Sequence, residues 1–344
     1  MLKDYPSVAV VILNYNGKKF LEKFLPSVLG TNYPNLNIVI ADNASTDDSV
    51  IFVKTNYATQ INVIELKNNI GFAGGYNEAL QYVEAEYFVL LNSDVEVTDN
   101  WVMPIIELME QNPQIGACQP KIRYYEDKKM LEYAGAAGGF IDRWGYPFAR
   151  GRIFDTLEED CGQYNDIVPI FWATGAALFI KKNAWVDVKG FDSYFFAHQE
   201  EVDLCWRLQL LGWKVYSCPQ SVVYHVGGGT LPKSNPRKLY LNIRNSLIML
   251  SKNLDKKEKF GKLLSRLVLD GVFGAKLFLT GKWREVWAII QAHFGYYRWY
   301  FTVKKEHNLT AVPLRMLDGV VNQSIVWAYY ARGKKYFSEI IRKK

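Results

Sequence analysis

Four short apolar runs, each ending in a polar loop and separated by helix-compatible stretches, constrain this chain more than any other feature. The runs are Val8–Leu13, Leu36–Ala41, Ile61–Leu66 and Tyr87–Leu91. They are rich in Val, Ile and Leu, as strands covered on both faces are. Between them, Lys18–Leu29, Asp47–Tyr57 and Ala73–Glu84 read as helices. Strand–helix alternation predicts βαβ units and an α/β fold with a mainly parallel sheet. In such sheets ligands bind beyond the carboxyl ends of the strands. Those ends read Asn14-Tyr15-Asn16-Gly17, Asp42-Asn43-Ala44-Ser45-Thr46-Asp47-Asp48, Asn68-Asn69-Ile70-Gly71 and Asn92-Ser93-Asp94, four polar loops that would line a single crevice.

The pattern then changes. Trp101–Glu110 and Glu200–Leu211 read as helices, and Ile115–Cys118, Lys214–Cys218 and Val222–Tyr224 as short strands. Residues 121–165 read as hairpins and loops facing a second substrate, and Ile167–Ile180 is an apolar run. Gly227-Gly228-Gly229 reads as a hinge. From about Lys238 onward the chain reads as helical. Charge divides at the same place. Residues 237–344 hold 22 Lys/Arg against 7 Asp/Glu, a net of +15, whereas residues 1–236 carry a net of −9. Two domains are expected, 1–236 and 237–344. The basic, aromatic-rich second part suits an anionic membrane surface or nucleic acid. The acidic body, and the lack of a recognition motif, argue against nucleic acid. Cysteines are few and widely spaced, as in a reducing compartment. Neither a spanning stretch nor a secretory leader is expected, which points to the cytoplasm.

Several residues suggest chemistry, each with a plainer alternative. Asp94 ends a buried strand and either binds a hard cation such as Mg²⁺ or caps a turn. Asp42 either accepts hydrogen bonds from a nucleoside or forms an Asx-turn. The glycines of Gly71-Phe72-Ala73-Gly74-Gly75-Tyr76-Asn77 either admit a phosphate at a helix start or allow tight packing. Glu200 and Glu201 stand at a helix start, where either mutual repulsion and burial raise one into the range of a general base or the two are simply a charge pair favouring the helix N-terminus. Asp203 and Arg207, four residues apart, form an ion pair. His225 either packs or completes a cation site with Asp94.

These motifs, in this order, resemble glycosyltransferase family 2, the nucleotide-sugar transferases with a GT-A fold, and most of all its rhamnosyltransferase-like bacterial branch. The resemblance spans roughly residues 6–230. It also rests on Thr174-Gly175-Ala176-Ala177-Leu178-Phe179, Gly190-Phe191-Asp192, Glu200–Arg207 and Val223–Gly229. It implies a GT-A-type, Rossmann-like sheet with flanking helices, followed by the C-terminal helical region. It implies that Asn14, Tyr15 and Asp42 hold the nucleobase. Gly71, Asn77 and Asn92 would lie along the rest of the nucleotide. Asp94, the last carboxylate of a D-x-D motif whose first position is Asn92 here, would bind Mg²⁺ or Mn²⁺, with His225 as second contact. Glu201, or its neighbour Glu200, would be the base. The implied reaction moves a sugar from dTDP-rhamnose or a UDP-sugar to a glycan or lipid-linked glycan, on the cytoplasmic face of the inner membrane. The rival classes are a nucleotidyltransferase acting on sugar phosphates and a nucleic-acid-binding protein.

Overall fold

The computed structural model describes residues 5–227, 235–303 and 309–341. Its first part follows the expected alternation: β1 (Val8–Asn14), α1 (Lys18–Leu29), β2 (Leu36–Asp42), α2 (Ser49–Tyr57), β3 (Asn62–Glu65), α3 (Gly71–Ala79) and β4 (Tyr87–Asn92). These strands pair in parallel in the order β4-β1-β2-β3. β1 is flanked by a strand on each side, and Val8, Ala9, Val10 and Val11 are fully buried. That is why the run is continuous rather than alternating. α3 stops at Ala79, short of the expected Glu84, and a 3₁₀ turn over Leu80–Tyr82 finishes it.

Past Asn92 the sheet becomes mixed. The next elements are β5 (Val95–Val97), α4 (Met103–Gln111), β6 (Ile115–Tyr124), β7 (Gly139–Asp142), β8 (Pro147–Ala149), β9 (Arg152–Ile153) and β10 (Thr156–Leu157). They are followed by β11 (Val168–Pro169), β12 (Ala177–Lys181), α5 (Lys182–Asp187), α6 (Glu200–Leu210) and β13 (Lys214–His225). The large sheet runs β11-β13-β6-β12-β4-β1-β2-β3, with β5 on β13. β12 lies antiparallel between β4 and β6. The two strands expected over 214–224 are one strand, with its register broken between Cys218 and Val222. Pro219 has no N–H to give the ladder, so the strand bulges there instead of ending. Because β13 continues, His225 reaches the register partner Val95 on β5, beside Asp94.

The C-terminal region forms α7 (Pro236–Asn253), α8 (Lys256–Leu279) and α9 (Trp283–Thr302). Beyond these it departs from the helical expectation. Val320–Tyr330 is not one amphipathic helix but a strand, β14 (Val320–Val321), and a short helix, α10 (Ile325–Tyr330), with α11 (Phe337–Ile340) after it. β14 joins the hairpins of 121–165 in a second sheet, β10-β9-β8-β7-β14. A Cβ on Gly319, at φ +71°, would fall 2.1 Å from the Phe171 amide nitrogen, so glycine lets this segment lie directly on the first region's backbone. Ile243, Leu247 and Leu250 of α7 share one buried cluster with Ala9, Val11 and Leu90 of the large sheet.

Candidate functional site

The parallel strands place their polar ends side by side. Asn14 and Asp42 are register partners at the ends of β1 and β2, and Asn92 partners Leu13 from β4. Asn14 is fully buried, and its amide donates to Asp42 Oδ1 (3.0 Å) and Ser45 Oγ (3.1 Å). Asp42 also accepts from the Ser45 N–H (2.8 Å), so the carboxylate is fixed by its own loop, the Asx-turn reading. Asn14 thus orients Asp42 through its amide nitrogen, while its Oδ1 is buried without a hydrogen-bond partner. Tyr15 points outward and is 46% exposed, an aromatic face available for stacking.

Gly71 and Asn77, expected along the nucleotide, are accounted for by the chain itself. Gly71 has φ +80°, and a Cβ there would fall 2.5 Å from the Phe196 ring. The Asn77 amide brackets the Phe191 backbone, donating to its carbonyl (2.8 Å) and accepting its N–H (2.9 Å). Tight packing, the plainer alternative, is therefore what these two residues show.

Asp94 and His225 come from residues 131 positions apart and meet at 3.1 Å, Oδ1 to Nε2. The Asn92 amide stands 3.5 Å from the same nitrogen. On the ring's other side, Nδ1 lies 3.5 Å from Glu132 Oε2, an ion-pair distance outside hydrogen-bond geometry. Burial opposes a charge on this imidazole, but Asp94 and then Glu132 outweigh it and lift its pKa to about 10. Glu132 sits in the stretch without a readable period, so nothing in the sequence marked it. The bare backbone of Gly227, at φ +71°, lies close enough that a Cβ would fall 2.7 Å from Glu132 Oε1. Gly228 and Gly229 lie outside the described residues.

Glu200 and Glu201 open α6 after an unusual approach. Phe196 (φ 64°, ψ −60°), His198 (φ 70°) and Gln199 (φ 72°) all have positive φ without being glycine. With Ala197 N–H bonded to Phe195 O (2.7 Å), Phe196 forms the rarer, strained γ-turn. Such residues cost of order 1–3 kcal/mol each and persist only where their surroundings over-determine them. Here Phe196 O accepts from Phe72 N–H (2.7 Å), next to Gly71. From the other side the buried Asn245 amide of α7 reaches the carbonyls of Phe195, Ala197 and His198 at 2.9, 2.9 and 2.7 Å. Arg244 adds the Tyr194 and Phe195 carbonyls, both at 3.0 Å.

The held segment presents unsatisfied polar atoms: His198 Nε2, Gln199 Oε1, Glu200 Oε2 and Glu201 Oε2 are buried without a hydrogen-bond partner. Desolvation, with Glu201's charge behind it, pushes the Glu200 carboxyl well up. Desolvation lifts Glu201 to about 7. Asp203 behaves oppositely. Burial would raise it, but Lys252 and Arg207 outweigh burial and hold it well below the usual carboxylate range. The expected Asp203–Arg207 pair is present at 2.8 Å, with Lys252 (3.1 Å) and Asn253 (2.8 Å) of α7 added.

The structure therefore offers two polar groupings: a pair of raised carboxyls on a segment that packs against Gly71, and strand ends with a carboxylate, an imidazole and an amide together. The second set fits a hard divalent cation only if a substrate's phosphate oxygens complete it. Among the described residues, no three His, Cys, Asp or Glu side chains form a cage by themselves.

Residues 9–169 match the model of the family described as glycosyl transferase family 2. The N-acetylglucosaminyl-diphospho-decaprenol L-rhamnosyltransferase of Mycobacterium tuberculosis is 26% identical over 235 residues, covering 63% of this chain and 75% of the relative. GalNAc-T7, solved with UDP, GalNAc and Mn²⁺, superposes with a TM-score of 0.57 at 15% identity, over 75% of this chain and 50% of its own. A mannosyltransferase from Pyrobaculum calidifontis, solved with GDP-Man and Mn²⁺, gives 0.51 at 14% identity, over 88% and 89%. The fold is that of the GT-A glycosyltransferases.

Proposed function

From the match of residues 9–169 to the glycosyl transferase family 2 model, we propose an inverting transfer of a sugar from a nucleoside-diphosphate donor to an acceptor hydroxyl. The observation that carries it is the pair of raised carboxyls at the start of α6, each with one oxygen buried without a hydrogen-bond partner, held on a strained segment that touches the strand-end loops through Gly71. Glu201, less buried than Glu200, takes the proton from the acceptor hydroxyl. The freed oxygen bonds to the anomeric carbon as the bond from that carbon to the diphosphate breaks. The nucleoside diphosphate leaves with the electron pair. Tyr15 stacks on the nucleobase, Asp42 accepts from the nucleoside, and Asn92 faces the diphosphate. Gly71 and Asn77 position the loops around the donor.

Asp94 and His225 would hold Mg²⁺ or Mn²⁺, which supplies countercharge to the diphosphate when bound. The donor is dTDP-rhamnose or a UDP-sugar. The acceptor is a glycan or lipid-linked glycan, a reading supported by the mycobacterial relative, whose name specifies a diphospho-decaprenol carrier. No helix among the described residues is long and apolar enough to cross a membrane. Exposed Phe260, Phe278, Trp283 and Phe301 on α8 and α9, together with the basic balance, support peripheral binding to the cytoplasmic face of the inner membrane.

The test is a donor screen with UDP- and dTDP-sugars in Mn²⁺, Mg²⁺ or EDTA, following release of nucleoside diphosphate. Metal-dependent release from one donor is expected, and Glu201→Gln should lower it about 10²–10⁴-fold while keeping nucleotide binding. Full turnover by Glu201→Gln would remove the assigned base.

A further inference from the structure

A groove of about 900 Å³ opens between α7 and α9, and four of its lining residues are arginines: Arg237, Arg244, Arg284 and Arg298. No carboxylate lines it. Among the described residues, none stands within ion-pair distance of Arg237, Arg284 or Arg298. Tyr240 and Trp287 complete a basic and aromatic wall. Guanidinium groups match phosphoryl oxygens two at a time, so unpaired arginines around one groove are complementary to a ligand of more than one negative charge.

The groove adjoins the proposed base. Arg244 also holds the Tyr194 and Phe195 carbonyls, and the Arg237 guanidinium lies 5.2 Å from the Phe196 ring. Gln199, next to Glu200, reaches Asn242 of α7 at 3.4 Å. On the other side of α9 lies a second, mostly apolar cavity of about 380 Å³, where Gly271 and Gly274 of α8 face Ile289 and Ile290 of α9. Phe294 lines both spaces. A charged groove thus meets, at one aromatic ring, a mostly apolar cavity whose polar lining is the Asp270–His293 pair (3.3 Å) and Tyr297.

We propose that this pair of spaces is the acceptor's anchor: the α7–α9 groove holds the diphosphate of an isoprenoid-diphosphate-linked sugar, and the isoprenoid chain runs over Phe294 into the cavity between α8 and α9. The proposal rests on the transferase reading above and names its acceptor class. The sugar at the end of the diphosphate would lie toward Glu201, and the chain would leave along the exposed apolar face of α9.

The test is calorimetry on the full chain in EDTA, which keeps the donor's metal-dependent site out of play. The probes are farnesyl diphosphate, farnesol and inorganic pyrophosphate, with UDP and dTDP titrated separately in Mn²⁺. Farnesyl diphosphate is expected to bind and not to be displaced by saturating UDP. Pyrophosphate and farnesol should each bind about tenfold or more weakly, because each satisfies only one of the two spaces. Arg284→Ala/Arg298→Ala, two exposed positions, should weaken farnesyl diphosphate about tenfold or more with an unchanged melting temperature. Unchanged affinity in that variant overturns the proposal. So does pyrophosphate binding as tightly as the lipid, which marks a free-anion site, or farnesol doing so, which marks an apolar one. Failure of UDP and dTDP to bind in Mn²⁺ would sink the transferase reading instead, and with it the acceptor role, while the farnesyl diphosphate result stood as a separate measurement.

Discussion

Glu201 must be ionised to accept a proton, and burial has moved its carboxyl to about 7. Below that value the base is protonated, so turnover should fall about tenfold per pH unit below 7 and level off above it. A flat kcat/KM profile from pH 5 to 8 would remove Glu201 from the proton transfer. Asp94→Ala should abolish metal-dependent nucleotide binding measured by calorimetry, and unchanged binding would show that the cation sits elsewhere. At this scale the sequence was most legible where a residue's position in the sheet carries its meaning. Asp94 and His225 lie at strand ends, and both arrived where their places in the chain suggested. Glu132 was illegible because its stretch has no period. For Asn14, Gly71 and Asn77 the structure adds contacts within the chain that the motifs did not specify. An amide or a bare backbone serves a neighbouring loop as readily as a ligand, and only the partners in space decide.

The contact of α7 with the segment before α6 is what fixes the proposed base. Asn245 is fully buried and serves three carbonyls of a segment that no local preference would form. Asn245→Ala leaves those carbonyls without their donor, which should cost about 2 kcal/mol of stability. It should also release the γ-turn, so kcat is expected to fall by more than tenfold with KM for the donor nearly unchanged. Equal loss in kcat and KM would mean that α7 supports the fold alone. The strands and helices up to Asn92 could be read from apolar runs because each follows its local period. The positive-φ residues Phe196, His198 and Gln199 could not, since none is a glycine and their conformation is imposed from α3 and α7. β13 was read as two strands for a related reason: Pro219 breaks the local pattern, and only pairing with β6 on one side and β5 on the other carries the strand through.

Across the whole molecule, the basic region has an inward and an outward face. Inward, α7 enters the same buried cluster as the large sheet, and β14 extends the second sheet. Outward, α8 and α9 show Phe260, Leu279, Trp287, Phe294 and Phe301 to solvent, all more than half exposed. Full-length protein should float with vesicles containing anionic lipid at moderate salt and stay behind with neutral ones. Failure to float with either would remove the membrane from this reading. Composition alone revealed the outward face, since charge and aromatic content need no partner to be read. It could not reveal the inward one, because Asn245 and Gly319 take their meaning from Phe195 and Phe171, far away in the chain. The dependence of the 195–199 turn on Asn245 also sets a schedule. During synthesis the strand-end loops and both glutamates emerge before α7, so a growing chain holds these residues before the 195–199 turn is fixed. The turn that carries the proposed base is complete only when the helix after residue 236 has docked, so it forms after the strand-end loops and not with them.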